Sequence, residues 1–130
     1  MYPLEEISLP VNYLDEQPHA EAMELAKGMC RDEDLGPFPR TPYSVKKNRQ
    51  EYFALITHMD EQIGRILNAL EDSGKSENTI IIFTSDHGLA CGQHGLMGKQ
   101  NLFEHSVKPP LIIAGPGIPC LLYTSDAADE

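Results

Sequence analysis

The run TIIIFTS, Thr79 to Ser85, constrains the fold more than any other part of the chain. It is short and rich in β-branched residues, and it is apolar at successive positions rather than alternate ones. Such a run predicts a strand covered on both faces, the usual state of a central strand in a parallel sheet flanked by helices. The elements around it agree. Upstream, Tyr52, Ile56, Met59, Ile63, Ile66, Leu67 and Leu70 recur at spacings of three and four, leaving Glu51, Asp60, Glu61, Arg65 and Asn68 on other faces. This periodicity predicts a helix of about six turns from Asn48 onward, stopped by Gly74 at the position after its last turn. Downstream, PLIIAGPG, Pro110 to Gly117, predicts a second short strand closed by a Gly-Pro-Gly turn. Helix, buried strand, loop and strand in this order define an α/β arrangement, which places ligand sites beyond the carboxyl ends of its strands.

The loop at that end is SDHGLACGQHGLMGK, Ser85 to Lys99. Asp86 and His87 are adjacent and can converge on one centre at an irregular turn, with Gly88 letting the backbone bend sharply behind them. A carboxylate oxygen and an imidazole nitrogen together are a legitimate pair of metal ligands, although two are too few for a complete site. Gly88, Gly92, Gly95 and Gly98 space out His94 and Lys99, a pattern suited to wrapping an anion, with Lys99 as its point charge. The pair also has a plainer reading as turn chemistry, with Asp86 capping a backbone N–H and His87 in solvent.

The remaining sequence bounds the function without directing it. Ten basic against 20 acidic residues give a net charge of −10, which argues against a general field for nucleic acid or an anionic membrane. No apolar run reaches the roughly 18 residues that span a bilayer, and MYPLEEISLP lacks the basic and apolar parts of a signal peptide. Residues 1–46 hold Pro3, Pro10, Pro18, Pro37, Pro39 and Pro42, with one short helical candidate at His19 to Met29, and are expected to wrap over a larger body. Residues 47–119 form the expected core. CLLYTSDAADE, Cys120 to Glu130, reads as a translated sequencing adapter and is set aside; without its three acids the balance is 10 basic to 17 acidic. Cys30, Cys91 and Cys120 match neither metal spacing nor a disulfide framework. His58, next to the apolar face of the helix, reads as a packed or partly exposed histidine, Asp60 as a helix-surface or capping acid, Cys91 as structural, Glu104 as a bond to the loop and His105 as solvated.

The ordered series of long helix, NTIIIFTSDHG, GQHGLMGK, the glutamate of LFEHS and PLIIAGPG resembles the second half of the catalytic domain of type I sulfatases, in the alkaline-phosphatase-like superfamily. The likeness runs from Tyr52 to Pro119. It implies an α/β sandwich with a mostly parallel central sheet flanked by helices, of which residues 1–119 are a part. By that resemblance Asp86 and His87 are ligands of a divalent cation, usually Ca2+, where other members have Asp-Asn. Lys99 contacts the sulfate, and His94 positions the loop. The implied partner is a small-molecule or carbohydrate sulfate ester, cleaved to an alcohol and sulfate. The family's nucleophile is a formylglycine made within a Cys-x-Pro-x-Arg type motif. Cys30 begins CRDED, Cys91 begins CGQHG and Cys120 begins CLLYT, so none supplies it, and an early Asp-Asp metal pair is missing too. The chain is therefore expected to be an internal, inactive piece of a longer enzyme. The alternatives are a phosphodiesterase or phosphonate hydrolase of the same superfamily, using Zn2+ or Mn2+, and a noncatalytic binding module. The GK thirteen residues after Asp86 favours the sulfatase.

Overall fold

The computed structural model describes residues 1–24, 31–36 and 38–119. Its spine is helix α1, Pro42–Asp72. Thr41 caps it by accepting from the Ser44 amide at 3.2 Å, and Pro42 stands at its first turn, where a missing N–H costs nothing. Gly74, at φ 69°, ends it, its N–H donating to the Glu71 carbonyl at 2.9 Å. The helix therefore begins six residues before the Asn48 start expected from the periodicity. No helix among the described residues is long and apolar enough to cross a membrane.

Four strands and one short helix follow: β1 Ile81–Thr84, β2 Ala90–Cys91, β3 Met97–Gly98, α2 Glu104–Val107 and β4 Leu111–Ala114. They make two separate two-stranded ladders, β1 with β4 and β2 with β3, both antiparallel. The mostly parallel sheet expected from the sequence is not found among the described residues. Parallel neighbours need a crossover that returns the chain to the starting end of the sheet. Here the stretch between β1 and β4 is used by the site loop, the β2–β3 hairpin and α2, and it returns the chain antiparallel with Ile81 opposite Ala114.

Burial of β1 also departs from expectation. Ile81 and Phe83 are half-buried, while Ile82 is 62% exposed and Leu111 on β4 is 65% exposed. The same holds along α1, where Val45 is the buried residue and Leu55, Ile66 and Leu67 are open to solvent. The apolar pattern was correct in kind, yet the described residues do not cover both of its faces. The helix expected at His19–Met29 is a series of turns over His19 to Glu24, and its remainder lies outside the described residues, as does the Cys120–Glu130 tail.

The packed centre lies instead around the hairpin. Ile7, Val45, Ala90, Cys91, Leu96 and Met97 are buried, with Ala20 and Met23 packed against Ala90 and Leu96. The N-terminal segment is tied to α1 by Tyr2, whose hydroxyl lies 2.6 Å from Thr57 Oγ1 and whose carbonyl accepts from Gln50 Nε2. Beneath the hairpin sits an ion pair, Arg40 with Glu33, at 1% and 6% exposure and 2.5 Å. Arg40 also donates to the carbonyls of Gly36, Gly95 and Glu33, and Glu33 Oε2 accepts from the Met97 amide at 3.1 Å. Breaking one partner of such a pair strands a buried charge, at a cost of about 3–5 kcal/mol. Arg40→Met should lower unfolding stability by about that amount and remove hydrogen-exchange protection at the Met97 amide. A variant within 1 kcal/mol of the parent, roughly the worth of a surface pair, would show that this pair does not anchor the hairpin.

Candidate functional site

Ser85 to Gly88 leave the carboxyl end of β1 as an irregular turn. Ser85 Oγ donates to the His87 carbonyl at 2.7 Å, and Asp86 Oδ1 accepts from the His87 amide at 3.1 Å. One carboxylate oxygen thus performs the turn chemistry that the plainer sequence reading foresaw. The other, Oδ2, lies 3.3 Å from His87 Nε2, with Asp86 83% and His87 34% exposed. The opposite ring nitrogen, Nδ1, is 2.9 Å from the Gly88 carbonyl. A carbonyl can only accept, so Nδ1 carries a proton. Lys99 Nζ lies 2.5 Å from that Nε2. Three of the four residues singled out from the sequence, Asp86, His87 and Lys99, therefore meet around one nitrogen.

His94 does not join them. It occupies the β2–β3 turn at φ 54°, its ring stacked on Phe103 at 4.3 Å and 14°. Its amide donates to the Asn12 carbonyl at 2.8 Å, its Nε2 accepts from Asn12 Nδ2 at 2.9 Å, and its carbonyl accepts from Gln17 Nε2 at 3.0 Å. These bonds fasten the hairpin to the N-terminal segment.

Two features of the site carried no sequence signal. The first is the seat of Gly88, whose amide donates to the Ser106 carbonyl at 2.9 Å. A Cβ at position 88 would stand 1.9 Å from the His105 carbonyl oxygen, so close approach, rather than the sharp bend expected, requires glycine here. The second is Asn101, whose Oδ1 accepts from the Phe103 amide at 3.1 Å and from Ser106 Oγ at 3.0 Å, while its amide donates to the Lys99 carbonyl at 2.8 Å. Through α2 the turn that holds His87 is stitched to the turn that holds Lys99.

Three neighbours differ from their sequence readings. Glu104 pairs with Lys108 at 2.8 Å instead of bonding the loop, and that bond holds its carboxyl below the ordinary range. His105 is not solvated: its Nε2 is buried without a hydrogen-bond partner among the described residues, and burial, then His94, pushes its pKa down. Cys91 is a buried free thiol, raised by burial and partly offset by Arg49 of α1, in keeping with a structural role.

Electrostatically, desolvation acts to raise the Asp86 pKa. His87, the Asp86 and His87 amides and Lys99 outweigh it and hold the carboxyl below its ordinary value. Among the described residues no group of three or more His, Cys, Asp and Glu converges. The donor types suit a divalent cation in part: one carboxylate oxygen and one imidazole, the latter oriented by a carbonyl as metal-binding histidines usually are.

The comparisons give the class to which a chain with this fold and loop belongs. The sequence profile of the Sulfatase family matches residues 11–119, and the chain belongs to that family. It is 42% identical over 106 residues to a choline-sulfatase of Rhizobium meliloti, covering 81% of this chain and 20% of that protein. A sulfatase of Formosa agariphila is 36% identical over 124 residues, covering 92% of this chain and 24% of its own length. Among solved structures, one of a protein in complex with its substrate D-glucosamine-2-N,6-O-disulfate superposes with a TM-score of 0.57 at 36% identity, covering 75% of this chain and 19% of that one. The chain spans between 20% and 24% of the length of these curated relatives.

An NMR titration of the Asp86 carboxyl should give a midpoint below that of an ordinary aspartate. His87 and Lys99 both act to lower it, so Lys99→Met or His87→Ala should each move the midpoint upward. Because the folded-state pKa is the lower one, the stabilisation is present above the ordinary aspartate pKa and is lost as pH falls through the depressed value. An unchanged midpoint in both variants would mean that the three groups do not interact in solution.

Proposed function

We propose that this chain supplies the cation- and anion-binding face of an active site that hydrolyses a sulfate ester to an alcohol and sulfate. The observation that supports this reading most directly is the meeting of Asp86 Oδ2, His87 Nε2 and Lys99 Nζ at the carboxyl end of β1. Family membership and the sulfatase names of the relatives agree with it. In this reading Asp86 and His87 hold a divalent cation, calcium, and Lys99 contacts the sulfuryl oxygens. His94 is a positioning residue that acts through the hairpin. When bound, the cation supplies Lewis-acid stabilisation of charge on those oxygens.

The chain's own residues orient and neutralise. The carbonyl of Gly88 holds a proton on His87 Nδ1, and the Asn101 turn holds the Lys99 backbone beside the turn that carries Asp86 and His87, where in this reading its ammonium meets the developing negative charge. The nucleophile and the other cation ligands belong, in this proposal, to parts of the catalytic domain beyond this segment. A small-molecule or carbohydrate sulfate ester is the substrate class, by analogy with the choline-sulfatase and with the disulfated glucosamine held by the structural neighbour.

In an active enzyme carrying this segment, Lys99→Ala should lower kcat/KM about a hundred- to thousand-fold, the usual effect of losing one preorganised donor. Asp86→Ala should instead weaken cation binding, and added calcium should restore part of its activity. Near-parental turnover of Lys99→Ala, or its rescue by calcium, would remove Lys99 from the anion-binding role.

A further inference from the structure

The turn that carries Lys99 has no apolar anchor of its own. Lys99, Gln100, Leu102 and Phe103 are exposed, Leu102 at 91%, and Asn101 is the half-buried residue among them. The stack of Phe103 on His94 holds only the far end of this stretch, at the start of α2. A segment with so few buried apolar contacts keeps one conformation through its hydrogen bonds.

Asn101 makes such bonds in both directions along the chain. Behind it, its amide donates to the Lys99 carbonyl at 2.8 Å. Ahead of it, Oδ1 accepts from the Phe103 amide at 3.1 Å and from the hydroxyl of buried Ser106 at 3.0 Å, so both lone pairs of that oxygen are in use. Ser106 extends the connection: its carbonyl accepts from the Gly88 amide at 2.9 Å, and Gly88 follows His87 directly. Asn101 and Ser106 thus bridge the backbone of Lys99 to the turn that carries Asp86 and His87.

We propose that Asn101 is the positioning residue of the anion-binding group, its side chain holding the Lys99 backbone, through Ser106, at a fixed place beside the Asp86–His87 turn. The proposal rests on the functional reading above, in which Lys99 contacts the sulfuryl oxygens. A lysine ammonium rides on a flexible four-carbon stem, so its reach to an anion is defined only as well as the backbone beneath it. Upstream that backbone is fixed by the Met97 amide on Glu33 Oε2. Downstream, the bonds of Asn101 are the first tie back to the fold. Aspartate has the same acceptor oxygen, with a negative charge that opposes an anion; asparagine supplies the acceptor without the charge.

A double-mutant cycle of Asn101→Ala with Lys99→Ala, in an active enzyme carrying this segment, separates positioning from general structural support. Asn101→Ala should lower kcat/KM about ten- to a hundred-fold, the effect of a misplaced group, and should add almost nothing once Lys99 is alanine. Ser106→Ala removes one bond of the bridge and should act in the same direction, again only while Lys99 is present; it carries the test if Asn101→Ala does not fold. In the 130-residue chain, Asn101→Ala should speed hydrogen exchange at the Phe103 and Gly88 amides, and Asn101→Asp, which keeps the acceptor, should leave both protected. Equal losses with and without Lys99, parental activity of Asn101→Ala, or unchanged Gly88 exchange would each overturn the positioning role and leave the reading of Lys99 standing. Parental turnover of Lys99→Ala would remove that reading, and the proposal with it.

Discussion

The buried pair between Arg40 and Glu33 is the interaction on which the placement of the site depends. Two charges removed from water are tolerable only when nearly every donor and acceptor is satisfied. Here Arg40 reaches three carbonyls and the Glu33 carboxylate, and that carboxylate in turn takes the Met97 amide. Apart from the ion pair itself, each bond ends on a backbone atom of the hairpin or of the turn beneath it. Lys99 follows β3 directly, so its starting point is set by an ion pair that lies outside the chemistry. At the far end of the same loop the Asn101 turn and α2 provide a second anchor, and the ammonium is suspended between them.

The anchoring is polar because the apolar groups are committed elsewhere. β1, β4 and the outer face of α1 present Ile82, Leu111, Ile112 and Ile66 to solvent, and these residues add little to stability within the described chain. Exposed apolar area of this extent on a sheet and a helix is characteristic of surfaces that meet other protein. The hairpin, with its few buried side chains, holds its form through directional bonds whose geometry is specific. A site built on such bonds is exact in position even though the core beneath it is small.

Local signals were legible and long-range ones were not. Gly74 ended α1 as read, since a terminator acts within one turn of its helix. Thr41 and Pro42 began it earlier than expected, because a cap followed by proline resembles a loop inside a proline-rich stretch. The location of β1 was clear from its composition, but its partner was not, because pairing depends on how the intervening loop is spent. Asp86 and His87 could be seen to converge from adjacency alone. That Lys99 would bind His87 itself could not, since it follows from the hairpin returning its last residue to β1. Arg40 and Glu33, seven apart in a segment without periodicity, gave no sign of pairing.

Gly88 shows how closely packing and chemistry are joined at this point. Its carbonyl holds the proton on His87 Nδ1, and its amide is bound to the Ser106 carbonyl. The amide's bond requires the chain to lie against α2, where a Cβ would meet the His105 oxygen at 1.9 Å. Any larger residue must push the chain away from α2, and the carbonyl moves with it. His87 would then be free to carry its proton on Nε2, where it cannot accept from Lys99. The absence of one methyl group thus keeps His87 oriented toward Lys99, whose ammonium lies against its far nitrogen.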